Sequence, residues 1–240
     1  MKRFFLFVII ASIPLILAVA QSSELSVEES YLQESIENMI IREQSRAESR
    51  EMKLIALSYI GDAIDRGNKS EEVRRALEYM GLEGTLNMTR ENGRLLNNFP
   101  DVRRESVRFL GLMGTESAKE TLLKIIYYDT EPMVLQEAIK SLGDIGIDDN
   151  GRTISTIAWI VQKFDNTVPD NLLALSAIEA IEKLGTSSES INPEGVMVLI
   201  RIAEGNYIRI VQERAKQALI NLRKIQAQQQ KEQQEQEQRQ

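Results

Sequence analysis

Apolar residues return at every third or fourth position along most of this chain, and stretches that alternate apolar with polar residues are hard to find. Such spacing gathers apolar side chains onto one face of a helix and predicts an all-α protein. Start and stop signals divide the pattern into elements. Ser26, with Glu29 three residues later, reads as a capping box and opens a helix over 26–45. Its partner covers 49–66 and stops at Gly67-Asn68. Ser70, followed by Glu71 and Glu72, opens a third helix that ends near 81–84. Further helices are expected from Pro100, from Thr115 through Tyr128, and from Pro132. After the turn formers Asp148-Asp149-Asn150-Gly151 come helices over 153–164, 169–184, 193–204 and 207–225.

The helices repeat. Val102, Arg103, Ser106, Val107, Leu110 and Gly111 make the clearest copy, and Val134, Leu135, Ala138, Ile139, Leu142 and Gly143 the next. Met52, Lys53, Ala56, Leu57, Ile60 and Gly61 form an earlier one, and looser copies end at Gly185 and Leu219. Ser106 and Ala138 are 32 residues apart. The small residue lets a neighbouring helix approach, branched residues fill the groove beside it, and the glycine is expected to end the helix in a left-handed turn. A pair of such helices cannot bury its apolar face alone, so pairs must stack. With "PDVRRESVRFLGLMG" and "EPMVLQEAIKSLGDIG" as its strongest text, the pattern resembles the HEAT repeat family in its short bacterial form. The resemblance runs from about Glu48 to Ile225 and implies an α-solenoid of about five stacked helix pairs, a scaffold that holds other proteins. Leu135 and Gln212 depart from it, standing where a basic residue is expected.

Two regions break the regularity. Residues 85–99 are a polar insertion containing Asn87, Asn92, Gly93, Asn97 and Asn98, longer than an ordinary connection. Residues 226–240 are mostly glutamine and glutamate, and either prolong the last helix or lack fixed structure. The repeats should therefore occupy 21–225.

The N-terminal residues bear on location. Lys2 and Arg3 precede an uncharged apolar run from Phe4 to Leu17, and Ala18-Val19-Ala20 supplies a small-x-small cleavage pattern. Residues 1–20 thus read as a signal peptide, with the mature chain starting at Gln21 and exported, to a bacterial periplasm or envelope. The run is shorter than the roughly 20 residues that span a bilayer, and no stable membrane insertion is expected after cleavage. The whole chain has 29 basic against 36 acidic residues, and cleavage removes two of the basic ones. That acidity disfavours nucleic acid as a partner. Histidine and cysteine are both absent. Catalytic triads built on either residue, and imidazole or thiolate zinc sites, are thereby excluded. No catalytic residue, metal or cofactor is assigned.

Candidate binding residues lie in the middle of the chain. Arg103, Arg104 and Arg108 fall in the best repeat, and Arg104 and Arg108 share a helix face. They could take an acidic protein partner, or they could neutralise Glu105 and nearby acids on a solvated face. Asp148 to Gly151 fails as a calcium loop, because the flanking positions that should be acidic are Gly146 and Ile157. Tyr127, Tyr128, Trp159 and Phe164 are expected to fill the core between pairs rather than form a ligand cage. The functional expectation is an exported, non-catalytic scaffold or adaptor with another protein as partner. The alternative is a periplasmic small-ligand-binding protein or enzyme that uses the 85–99 loop.

Overall fold

The computed structural model describes residues 27–187 and 192–237; the signal segment and Ser26 lie outside them. Ten α-helices account for most of the described chain: α1 Val27–Ser45, α2 Arg50–Asp65, α3 Glu71–Gly81, α4 Pro100–Met113, α5 Glu116–Tyr128, α6 Pro132–Ile145, α7 Arg152–Asp165, α8 Asn171–Ser187, α9 Pro193–Glu204 and α10 Arg209–Glu237. Strands β1 Arg90–Glu91 and β2 Arg94–Leu95 form one small hairpin between α3 and α4.

Local chemistry sets the helix ends. Ser70 and Thr115 accept hydrogen bonds from the N–H groups of Val73 and Ala118, and Asn192 accepts one from Glu194. Pro100, Pro132 and Pro193 open α4, α6 and α9, where proline's missing donor is not needed. Asp148 Oδ1 accepts from Thr153 N at 2.8 Å and Ile154 N at 3.2 Å, so this turn caps α7. The glutamine-rich segment continues α10 as helix through Glu237.

Each odd helix packs on the even helix that follows it, and the five resulting pairs stack into an α-solenoid. Helices α2, α4, α6, α8 and α10 form one layer, in which α4, α6 and α8 share long surfaces with one another. The odd helices form the other layer and touch one another more sparsely. A continuous core runs between the layers, with Val102, Leu110, Val134, Leu135, Ala138, Ile139 and Leu142 all fully buried.

The repeat glycines do not end their helices. Gly61, Gly111, Gly143 and Gly185 lie inside α2, α4, α6 and α8, and left-handed Gly114 and Gly146 do the ending. A Cβ on Gly111 would sit 2.6 Å from Ser141 Oγ, and one on Gly143 would sit 2.7 Å from the Ala180 Cα. At Gly61 it would meet Phe109 at 2.9 Å, and at Gly185 it would meet Leu222 at 2.6 Å. Each of these four contacts is made with the next even helix. The periodic glycine therefore permits close stacking within one layer, and the left-handed turn falls to a different residue.

The aromatics also fall differently from expectation. Tyr127, Tyr128 and Trp159 are exposed, on the outward faces of α5 and α7, because smaller aliphatic residues already close the core there. The Tyr127 and Trp159 rings meet with centroids 5.0 Å apart. Phe164 alone of the four packs against the core.

Candidate partner-binding face

The three candidate arginines of α4 separate into two environments. One residue of helix turns the side chain by about 100°. Arg103 consequently points inward and is 2% exposed. Its Nε donates to Asp129 Oδ2 at 2.7 Å and its Nη2 to Asp129 Oδ1 at 3.3 Å, a forked ion pair. Its Nη1 donates to Asn98 Oδ1 at 2.7 Å and to the Glu83 carbonyl at 3.3 Å. Asp129 Oδ1 also accepts from the N–H groups of Thr130 and Glu131, at the entry to α6. Arg103 is thus a buried structural residue and not part of a partner-binding surface.

Arg104 and Arg108 remain at the surface, each next to an acid. Arg104 Nε lies 3.6 Å from Glu137 Oε2 on α6. Arg108 pairs with Glu105 at 2.5 Å and covers the Phe109 ring at 4.2 Å. The Glu105 hydrogen bond holds the Arg108 guanidinium pKa above its ordinary value, against the opposing effect of partial burial. The structure therefore places both side chains in local ion pairs on α4 and α6.

Lys53 matches Arg103 one repeat earlier. It is fully buried in α2, and its Nζ lies 2.8 Å from Glu83 Oε2, off the hydrogen-bonding direction, and donates to the Ser45 carbonyl at 3.1 Å. Glu83 follows α3 as Asp129 follows α5. Two successive even helices thus send a buried cation to an acid just beyond the next odd helix. Leu135 occupies the corresponding site in α6 and is itself buried, which ends this ladder.

The ladder anchors the 85–99 insertion. Asn97 is buried; its Oδ1 accepts from Thr89 N at 2.9 Å, and its Nδ2 donates to the Asn87 carbonyl at 2.8 Å and to Glu83 Oε1 at 3.4 Å. Gly84 has φ +76°, and a Cβ there would lie 2.7 Å from the Asn97 carbonyl oxygen. Above this base β1 pairs antiparallel with β2. Asn92 (φ 49°) and Gly93 (φ 80°) make the two-residue turn that matches strand twist. The insertion is thus an ordered hairpin on a buried polar base. The Asn-Gly dipeptide was the sequence signal that could have revealed it. The hairpin exposes Leu86, Met88 and Leu96. Arg90 and Arg94 are exposed as well, and no carboxylate among the described residues forms an ion pair with either; Arg90 reaches only the Gly93 carbonyl, at 3.4 Å, and the Met88 sulfur.

An open depression of about 610 Å³ between α8 and α10 is lined by Glu179, Glu182, Lys183, Arg214 and Asn221 among others. Glu182 already pairs with Arg214 and Asn221, and Lys183 with Asp144, so these charges of the lining are engaged within the fold. Among the described residues no cluster of acids is arranged to hold a metal ion. No helix among them is long and apolar enough to cross a membrane.

Residues 94–159, which contain Arg103, Asp129, helices α4 to α6 and the start of α7, match the family model described as HEAT repeats. That segment carries the HEAT-repeat pattern. No curated protein matches it. One solved structure, described as an engineered protein, is 16% identical and aligns over 83% of this chain and 56% of its own, with a TM-score of 0.36. The chain spans little more than half the length of that protein, and so low a score carries no argument. Within the stack the hairpin is an insertion between the two helices of the second pair.

Proposed function

We propose that this HEAT-repeat chain is an exported scaffold that holds an acidic protein partner at the hairpin of residues 85–99. HEAT repeats generally serve as protein-interaction scaffolds. The observation that carries the reading is the contrast within the hairpin: a base fastened by Asn97, Glu83 and Arg103, and a tip that presents Arg90 and Arg94 without carboxylate partners. Leu86, Met88 and Leu96 add exposed apolar surface beside those charges. A rigid base lowers the ordering cost of binding, and unpaired guanidinium groups suit carboxylates. Arg104 and Arg108 are poorer candidates, since Glu137 and Glu105 already face them.

Export rests on the N-terminal sequence, Lys2 to Ala20. An envelope or periplasmic scaffold fits that signal, together with an acidic chain that lacks cysteine and histidine. The scaffold reading is preferred to a small-ligand site or an enzyme because Arg90, Arg94, Leu86, Met88 and Leu96 are all exposed on the hairpin.

Two measurements test this function. N-terminal sequencing of native material should begin at Gln21; intact Met1 in the cytosol would overturn export. Capture from the envelope fraction should be lost in Arg90→Glu/Arg94→Glu and retained in Arg104→Glu/Arg108→Glu. The opposite result would return the partner to α4. Loss in neither variant would remove the arginines from the interface altogether. Added salt should weaken capture, because exposed charges act over about 8 Å at physiological ionic strength.

A further inference from the structure

Helix α1 is buried along one side only. Ile41 and Ser45 face inward at 1% exposure, and Glu37 pairs with Arg66 beyond the end of α2. The opposite side carries Leu32, Ile36 and Met39, which are 61%, 47% and 52% exposed, and Tyr31 is exposed on the flank. An apolar stripe of this kind on a soluble surface marks an interaction site.

The order of residues along the stripe identifies its occupant. Glu28, Leu32, Ser35, Met39, Arg42 and Arg46 are separated alternately by four and three positions, the repeat of a two-helix seam. The apolar pair brackets the small Ser35, with an acid beyond one end and two bases beyond the other. Glu28, Arg42 and Arg46 are all exposed, and among the described residues Arg42 pairs only with its exposed neighbour Glu43, at 3.3 Å. Reversed, this sequence complements itself. In an antiparallel pair about Ser35, Glu28 faces Arg42, and Leu32 and Met39 come within one residue of facing each other. A parallel pair would set Glu28 against Glu28 and Arg42 against Arg42, which is repulsive.

We propose that α1 pairs antiparallel with α1 of a second copy, making a two-fold dimer centred on Ser35. Such an interface closes on itself, so the product is a dimer and not a filament. It stands or falls independently of the scaffold reading.

The chain contains no cysteine, so one introduced thiol reports on one contact. Sedimentation of the purified protein should show a dimer whose mass falls on dilution. Ser35→Cys should give covalent dimer with a short bis-maleimide. Val168→Cys, at an exposed position between α7 and α8, should give none under the same conditions. Leu32→Glu/Met39→Glu should be monomeric with helix content unchanged. Arg42→Glu should weaken the dimer by about tenfold at low salt, and adding Glu28→Arg to it should restore association. The proposal is overturned by a monomer at every concentration, by a dimer that survives Leu32→Glu/Met39→Glu, by Ser35→Cys that fails to cross-link, or by charge reversal that does not restore pairing.

Discussion

The underside of the hairpin and the outer face of α4 are built from neighbouring residues of one sequence, and they obey opposite rules. Beneath the hairpin, Arg103 is enclosed, forked onto Asp129 and bonded to Asn98 and the Glu83 carbonyl. On the outer face, Arg104 and Arg108 reach Glu137 and Glu105 with side chains 51% and 40% exposed. Removing one member of a buried, fully bonded pair leaves a charge that neither water nor protein satisfies. Removing one member of a solvated pair lets water replace it. A cationic run in a sequence therefore has no single meaning, because helical phase assigns each member to one rule or the other.

The sharpest way to break this comparison is at Asp129. Asp129→Ala should destabilise the protein by about 3–5 kcal/mol, because it strands the Arg103 guanidinium in the core. The measurement is the urea midpoint. Arg103→Met/Asp129→Leu should recover part of that loss, since no charge stays buried, while the Thr130 and Glu131 N–H groups and the Glu83 carbonyl still lose a partner. If Asp129→Ala unfolds at the same midpoint as Glu105→Ala, the two regions are not energetically distinct.

A charge introduced without any partner tests the same rule in the inter-helix layer. Ala138 is fully buried in α6. Ala138→Glu should cost on the order of 3 kcal/mol, read as a drop in Tm, because the carboxylate must be desolvated or protonated.

Gly84→Ala asks whether the base holds the hairpin. The φ of +76° and the 2.7 Å approach to the Asn97 carbonyl both oppose a side chain. Crowding and left-handed strain together should cost about 1–3 kcal/mol, with proteolysis appearing first at residues 85–99. Unchanged protection of that segment would show that the hairpin is held by other contacts.

Acid should report on the exposed pairs. Hydrogen bonds from Arg74 and Arg75 bring the Glu71 carboxyl from 4.5 down to about 2. A carboxylate whose folded pKa lies below its unfolded value stabilises the fold fully above the unfolded value. That contribution then disappears as pH falls through the folded one. The effect should occur between pH 4.5 and about 2, be small, and vanish in Glu71→Gln. An acid midpoint identical in Glu71→Gln and the parent would contradict it.

The smallest effect belongs to the outer face itself. Arg104→Glu/Arg108→Glu should alter stability by no more than about 1 kcal/mol, and high salt should shrink even that difference. Asp149→Ala should likewise have little effect, since Lys119 keeps Glu116 at 2.5 Å.

The helices and their pairing were legible because their signals are local. Ser70 and Thr115 cap where they were expected to cap, and Pro193–Glu204 is the helix that its start and stop residues describe. The candidate site was less legible. The same repeat that revealed the fold contained the reason Arg103 could not be on the surface: it follows Val102 at the position Lys53 and Leu135 occupy in neighbouring repeats, and all three are buried. The hairpin was announced by Asn92-Gly93, but its order depends on Asn97 meeting Glu83 across 14 residues, which no local pattern encodes.

The stack of helix pairs, and the lack of histidine and cysteine chemistry, could be read from the residues alone, because periodicity, capping and composition act over a few residues or none. Which charges are enclosed, why glycine recurs where it does and which surfaces stay open were settled by packing between distant parts of the chain. Those outcomes depend on the next helix in the stack. Gly111 is required by Ser141, Gly143 by Ala180 and Arg103 by Asp129, each supplied by a part of the chain that folding alone brings alongside.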